Sequence, residues 1–146
     1  MLQKNILSVA KETISNEARA IEELINLLDQ DFTAAVEHIY NAKGRVIITG
    51  IGKSAIIATK IVATLNSTGT PAIFMHAADA IHGDLGTIQE DDVVICISKS
   101  GNTPEIKVLV PLIKNFKNTL IAITGNKDSF LGKQSDYVLN AYVEKE

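Results

Sequence analysis

Apolar residues recur over the first thirty positions at helical spacing. Ile14, Ala18, Ile21, Ile25 and Leu28 fall at alternating intervals of four and three, while Glu12, Asn16, Glu22, Glu23 and Asn26 fill the opposite side. The pattern predicts one helix over 2–30, its stripe covered either by the rest of the domain or by a partner subunit. The repeat is too short to argue for a coiled coil. A second helix is expected over 32–42, starting behind Asp31 and stopping near Gly44.

From Arg45 onward the pattern changes to short, continuous apolar runs. Strands are predicted at 45–49, 71–75, 92–97, 119–123 and 137–143, with helices at 53–66 and 104–115 between them. The runs are β-branched and do not alternate, which is how strands covered on both faces read. Helices between such strands imply parallel crossovers. The expected fold class is therefore α/β, a doubly wound α-β-α sandwich with a five-stranded, mainly parallel, flavodoxin-like sheet.

Composition narrows the function classes. A chain of 146 residues suits one domain, with helices over 1–44 and a sheet core over 45–146. With 46% hydrophobic and 21% charged residues it is not a disordered chain. A net charge of −3 argues against a broad electrostatic nucleic-acid binder. Cys96 is the single cysteine and cannot form an internal disulfide, and no apolar run reaches membrane-spanning length. The expectation is a cytoplasmic protein with no nucleic-acid or membrane partner.

The chemistry is concentrated where strands run into helices. Small polar turns stand at Gly50-Ile51-Gly52-Lys53-Ser54, at Ser98-Lys99-Ser100-Gly101-Asn102-Thr103 and at Thr124-Gly125-Asn126. Small residues let backbone N–H groups approach an anion, and a following helix adds its positive end. An ordinary helix cap needs one hydroxyl; the second turn supplies three, with an amide and a glycine, and reads as a phosphate cradle. Gly52-Lys53-Ser54 resembles the end of a P-loop, but the required first glycine would fall at Ile47, inside a strand. Gly50-x-Gly52-x-x-Ala55 suits a relaxed dinucleotide fingerprint. The acidic residue which that reading needs at the end of the next strand is replaced by Phe74-Met75-His76.

These segments, with Ser67-Thr68-Gly69-Thr70-Pro71 and His82-Gly83-Asp84-Leu85-Gly86, resemble the sugar isomerase (SIS) domain. More narrowly, the lysine-bearing first turn and His-Gly-Asp-Leu-Gly resemble the D-arabinose 5-phosphate isomerases of the 3-deoxy-D-manno-octulosonate (Kdo) pathway, which supplies lipopolysaccharide. The resemblance implies interconversion of D-ribulose 5-phosphate and D-arabinose 5-phosphate, moving a proton between C1 and C2 through an enediol. It implies catalytic roles for Lys53, Glu105, Glu146 and His82. Sugar-phosphate contacts would come from Gly52, Ser54, Gly69, Thr70, His82, Ser98, Ser100, Asn102 and Thr103. Lys53 opens a helix, the wrong end for a cation, which itself favours a functional role. His38 lies among Val36, Ile39 and Tyr40 and reads as structural or surface.

No cofactor is required by this chemistry. The family has a zinc-binding histidine matching His76, but His82 follows six residues later, outside compact ligand spacing. Zinc there is expected to be inhibitory or adventitious. The chain ends at Glu146 where the family continues with a closing helix, a further histidine and often paired CBS domains. A truncated or isolated SIS domain is thus expected, one that binds substrate with little turnover and pairs as a homodimer or homotetramer. The alternative is a non-catalytic SIS module that binds or senses sugar phosphates.

Overall fold

The computed structural model describes residues 2–144, with side chains from Asn5 onward; Glu146 lies outside the described residues. Five strands, β1 (Val46–Gly50), β2 (Ala72–His76), β3 (Val93–Ile97), β4 (Leu120–Thr124) and β5 (Tyr137–Asn140), form one sheet in the order β2-β1-β3-β4-β5. Every neighbouring pair is parallel. This is the expected doubly wound sandwich, with each strand's two faces turned to different helices.

Alternation along the strands divides the core. Ile47, Val94, Cys96, Leu120 and Ala122 share one cluster with Ile106, Leu109, Val110 and Ile113 of helix α5 (Pro104–Asn115). Val46, Ile48, Val93, Ile95 and Ile121 point the other way. They meet Ala35 of α2 (Gln30–Asn41) and Ala58 of α3 (Lys53–Ser67). The central strands β1 and β3 are buried along their whole length, so both of their faces had to be apolar. Burial pushes the Cys96 thiol up to about 12, which makes it an inert core residue.

The N-terminal helix departs from expectation. Helix α1 (Leu2–Glu23) is followed by a 3₁₀ turn over Leu24–Leu27, and the chain is extended at Leu28. Asp29, not Asp31, caps α2, accepting from the N–H groups of Asp31 (3.0 Å) and Phe32 (3.4 Å). Asp31 instead reaches across to accept from Val138 N at 3.0 Å, tying α2 to the edge strand β5. On α1, Ile6, Leu7, Val9, Ile14 and Ile21 are all exposed. The stripe therefore does not pack on the domain.

Two five-residue helices had no periodic signal to announce them: α4 (Ala77–Ile81) and α6 (Phe130–Gln134). A 3₁₀ turn over Asp84–Thr87 follows α4. Strand β5 stops at Asn140, short of the predicted 143. The Asn140 Oδ1 accepts from Tyr142 N at 3.1 Å, and this local bond turns the chain out of the ladder. None of the helices among the described residues is long and apolar enough to cross a membrane.

Candidate functional site

The strand order fixes where a ligand can sit. After β1 the chain moves outward to β2; after β3 it moves the opposite way, through β4 to β5. The crevice beyond the carboxyl ends of β1 and β3 is the switch point of such a sheet. A cavity of about 400 Å³ opens at this edge of the sheet. Ile51 and Ser54 line it from the β1 turn, Ser98, Lys99, Ser100 and Thr103 from the β3 turn, Gly125 after β4, and Tyr142 and Val143 after β5.

Gly50 allows the close approach that shapes this edge, since a Cβ there would lie 3.2 Å from the Ile97 carbonyl oxygen and 3.1 Å from the Ser54 backbone. In the β3 turn, Gly101 holds φ +64°, a left-handed conformation that favours glycine. A Cβ at Gly101 would also sit 2.0 Å from Ser129 Oγ. Internal bonds set the rest of the turn. Ser98 Oγ accepts from Gly101 N (3.2 Å), Ser100 Oγ from Asn102 N (3.3 Å), and Asn102 Oδ1 from Phe130 N (3.0 Å). Leu131 N donates to the Gly101 carbonyl at 3.0 Å. The loop is thus fastened to α6 along its back, away from the cavity.

Helix capping differs sharply across the molecule. Asp29, His76 and Ser129 cap α2, α4 and α6 with side-chain acceptors. The two helices that start at the cavity have no such bond: Gly52 stands before α3, and Thr103 before α5 makes no capping contact. Among the described residues, the buried Thr103 Oγ1 has no hydrogen-bond partner, although its residue lines the cavity. First-turn N–H groups and an unpaired hydroxyl beside the hydroxyl-bearing side of this cavity form an anion-binding arrangement. Ser98 is 4% exposed, so its hydroxyl works from the floor of the turn.

The structure sorts the sequence-based assignments. Ser54, Ser98, Ser100 and Thr103 come together in the cavity wall. Lys53 is exposed at the first residue of α3, directly before Ser54, and Glu105 is half-buried in the first turn of α5. Neither side chain lines the cavity. Asn102 braces the loop and does not face the cavity.

Gly69 and Thr70 lie at the opposite end of the sheet, before β2. There Gly69, with φ +92°, terminates α3 and Thr70 N donates to Leu65 O at 2.9 Å. Within this chain they are part of a helix C-cap, not of the cavity. His82 is exposed after α4, outside the cavity wall. His76 Nδ1 accepts from Ala78 N at 3.3 Å, so that nitrogen is committed to capping. Among the described residues no three His, Cys, Asp or Glu side chains gather to hold a metal. His38 is half-buried with its ring centroid 6.0 Å from that of Tyr137, as a structural residue would be. Sequence reasoning did not assign Ile51, Gly125, Tyr142 or Val143 to the site; only the return of the chain after β5 brings the last two to the edge.

Known proteins supply independent findings. The family description that matches is the SIS domain, over residues 38–146. Arabinose 5-phosphate isomerase KdsD of Pseudomonas aeruginosa is 47% identical over 137 residues, covering 94% of this chain and 42% of that protein. Arabinose 5-phosphate isomerase KpsF of Escherichia coli strain CFT073 is 44% identical over 142 residues, 97% of this chain and 43% of its own length. The chain thus spans under half the length of the curated relatives it matches. The structure of an E. coli CFT073 protein in complex with arabinose 5-phosphate superposes with a TM-score of 0.93 at 39% identity, covering 100% of this chain and 78% of that one.

Proposed function

The chain belongs to the SIS domain family, and from that premise we propose that it is an aldose–ketose isomerase interconverting D-ribulose 5-phosphate and D-arabinose 5-phosphate, in the supply of Kdo for lipopolysaccharide. One observation carries the reading: uncapped helix starts and Thr103, whose buried hydroxyl has no partner among the described residues, stand at a cavity whose wall holds three serines. A doubly negative phosphate is the ligand chemistry that this arrangement suits. Names of relatives and the structure bound to arabinose 5-phosphate support the choice of sugar.

In this mechanism Ser98, Ser100 and Thr103 hold the phosphate with the first turn of α5. Glu105, one residue into that helix, takes a proton from C1 or C2 and returns it to the other carbon. Lys53, at the start of α3, stabilises negative charge growing on the carbonyl oxygen as the enediolate forms, and the hydroxyl proton passes from the neighbouring oxygen to that one. His82 and Glu146 enter the reading from the family resemblance, as further contacts to the sugar. No cofactor takes part, and zinc at His76 would be inhibitory or adventitious. Self-association through the exposed stripe of α1 belongs to the same reading.

A binding-only SIS module is the second reading. It is favoured by one feature: the hydroxyls line the cavity whereas Lys53, Glu105 and His82 do not. Exchange separates the two. Incubated with ribulose 5-phosphate in heavy water, an isomerase incorporates deuterium at C1 or C2, and Glu105→Gln abolishes the incorporation while leaving binding intact. Binding without exchange, with Glu105→Gln indistinguishable from the parent, leaves only the sensor.

A further inference from the structure

The cavity has a side that the phosphate chemistry does not use. Strand β5 is the edge strand of the sheet, yet Tyr142 and Val143 beyond it line the same cavity as the β3 turn, two strands away. Two bonds hold the backbone of this return. Ala141 N donates to Thr124 O at 2.9 Å, and Tyr142 N donates to Asn140 Oδ1 at 3.1 Å. Among the described residues, no hydrogen bond or ring contact holds the Tyr142 side chain. The residue is 53% exposed, and its hydroxyl makes no hydrogen bond among the described residues. Other exposed apolar residues, such as Tyr40 and Ile56, lie away from the cavity; Tyr142 is the aromatic residue in its wall.

We propose that the Tyr142 ring is a specificity-determining wall that packs along the carbon chain of a sugar phosphate whose phosphate rests on the β3 turn. The proposal rests on the sugar-phosphate reading above and adds to it the residue that separates the sugar from its phosphate. Phosphate binding to Ser98, Ser100 and Thr103 recognises any phosphate ester. Selecting one with a carbon chain needs contact with the C–H face of that chain, which flat, amphipathic side chains provide at low entropic cost. Tyr142 is positioned for that contact: its backbone is fixed, the exposed residue lines the cavity, and Ile51 and Val143 add apolar surface to the same lining.

Calorimetric titration of the whole chain with D-arabinose 5-phosphate and, separately, with inorganic phosphate tests it. The expected result is that Tyr142→Ala weakens the sugar phosphate roughly three- to tenfold while inorganic phosphate stays within about twofold. Tyr142→Phe should keep the parent affinity for both. Tyr142 is exposed beyond the last strand, so matching melting curves for parent and variants are expected. Equal losses for both ligands, or an unchanged sugar-phosphate affinity in Tyr142→Ala, overturn the proposal while leaving the isomerase reading in place. A loss in Tyr142→Phe as large as in Tyr142→Ala transfers the role to the hydroxyl and overturns the ring's part. A parent chain that binds inorganic phosphate but not the sugar phosphate removes both readings together.

Discussion

At the amino end of the sheet Asp92, 3% exposed, accepts from Arg45 Nε at 3.1 Å, Arg45 Nη2 at 2.6 Å, Arg45 N at 2.7 Å and Gln89 N at 2.8 Å. Nearby, Asn118 donates through Nδ2 to the carbonyls of Gln89 and Asp92, both at 2.7 Å, although its Oδ1 has no partner among the described residues. At the carboxyl end, two helices start without side-chain caps, and the buried Thr103 hydroxyl has no partner among the described residues. Both ends belong to the same five strands. One directs its polar groups inward, to lock loops to the sheet; the other leaves donors unsatisfied around a cavity. A fold this well buried in its centre can leave donors open at one edge, because the stability they would have added is supplied elsewhere.

Removing the Asp92 carboxylate should give the largest effect and confine it to stability. Burial pushes this carboxyl up, but hydrogen bonds from the Arg45 side chain and from the Gln89 and Arg45 backbones, with the Arg45 charge, outweigh burial and hold it below the usual carboxylate range. Asp92→Ala is expected to lower unfolding free energy by about 3 kcal/mol in urea titrations, since it strands the Arg45 and Gln89 N–H groups and removes the guanidinium's charge partner, leaving it only the Thr87 carbonyl. Sugar-phosphate affinity should be unchanged. Because the folded-state value is lowered, the carboxylate's contribution is fully present above about pH 4 and is lost as pH falls through that lowered value. Acid, not base, should therefore close the gap between parent and variant.

The double change Ser98→Ala with Ser100→Ala comes next and should act at the other end. It is expected to weaken sugar-phosphate binding by roughly 1–3 kcal/mol, the scale of hydrogen bonds to a charged group, with a smaller change in stability. Unaltered calorimetric affinity would remove the β3 turn from the ligand site and erase the contrast between the two edges.

Lys53→Met should move stability least. An exposed cation at a helix start opposes the helix dipole, so its loss should alter unfolding free energy by at most about 0.5 kcal/mol. Turnover of ribulose 5-phosphate should fall at the same time. A large drop in melting temperature would instead make Lys53 a structural residue and blur the division between the edges.

Much of the architecture was legible in the residues. The apolar runs at 45–49 and 92–97 read as strands covered on both faces, which the structure places at Val46–Gly50 and Val93–Ile97, and the hydroxyl-rich turn before Pro104 marked the helix start that the cavity uses. Short-range signals were less reliable. Asp31 looked like a cap because a carboxylate before a helical pattern usually is one. The structure gives that task to Asp29 and sets Asp31 against Val138, 107 positions away.

Local composition alone determined which segments bury both faces and which turns carry hydroxyls and glycines, since hydrophobic period and turn chemistry act over a few residues. Only the tertiary structure decided which of those turns share an edge. Ser67 to Thr70 is as rich in small polar residues as the β3 turn, yet it precedes β2 and so belongs to the amino end, whereas Tyr142 reaches the cavity from the far edge strand. That sorting follows from strand order and direction, which depend on how helices pack across the whole sheet and leave no mark on any one turn.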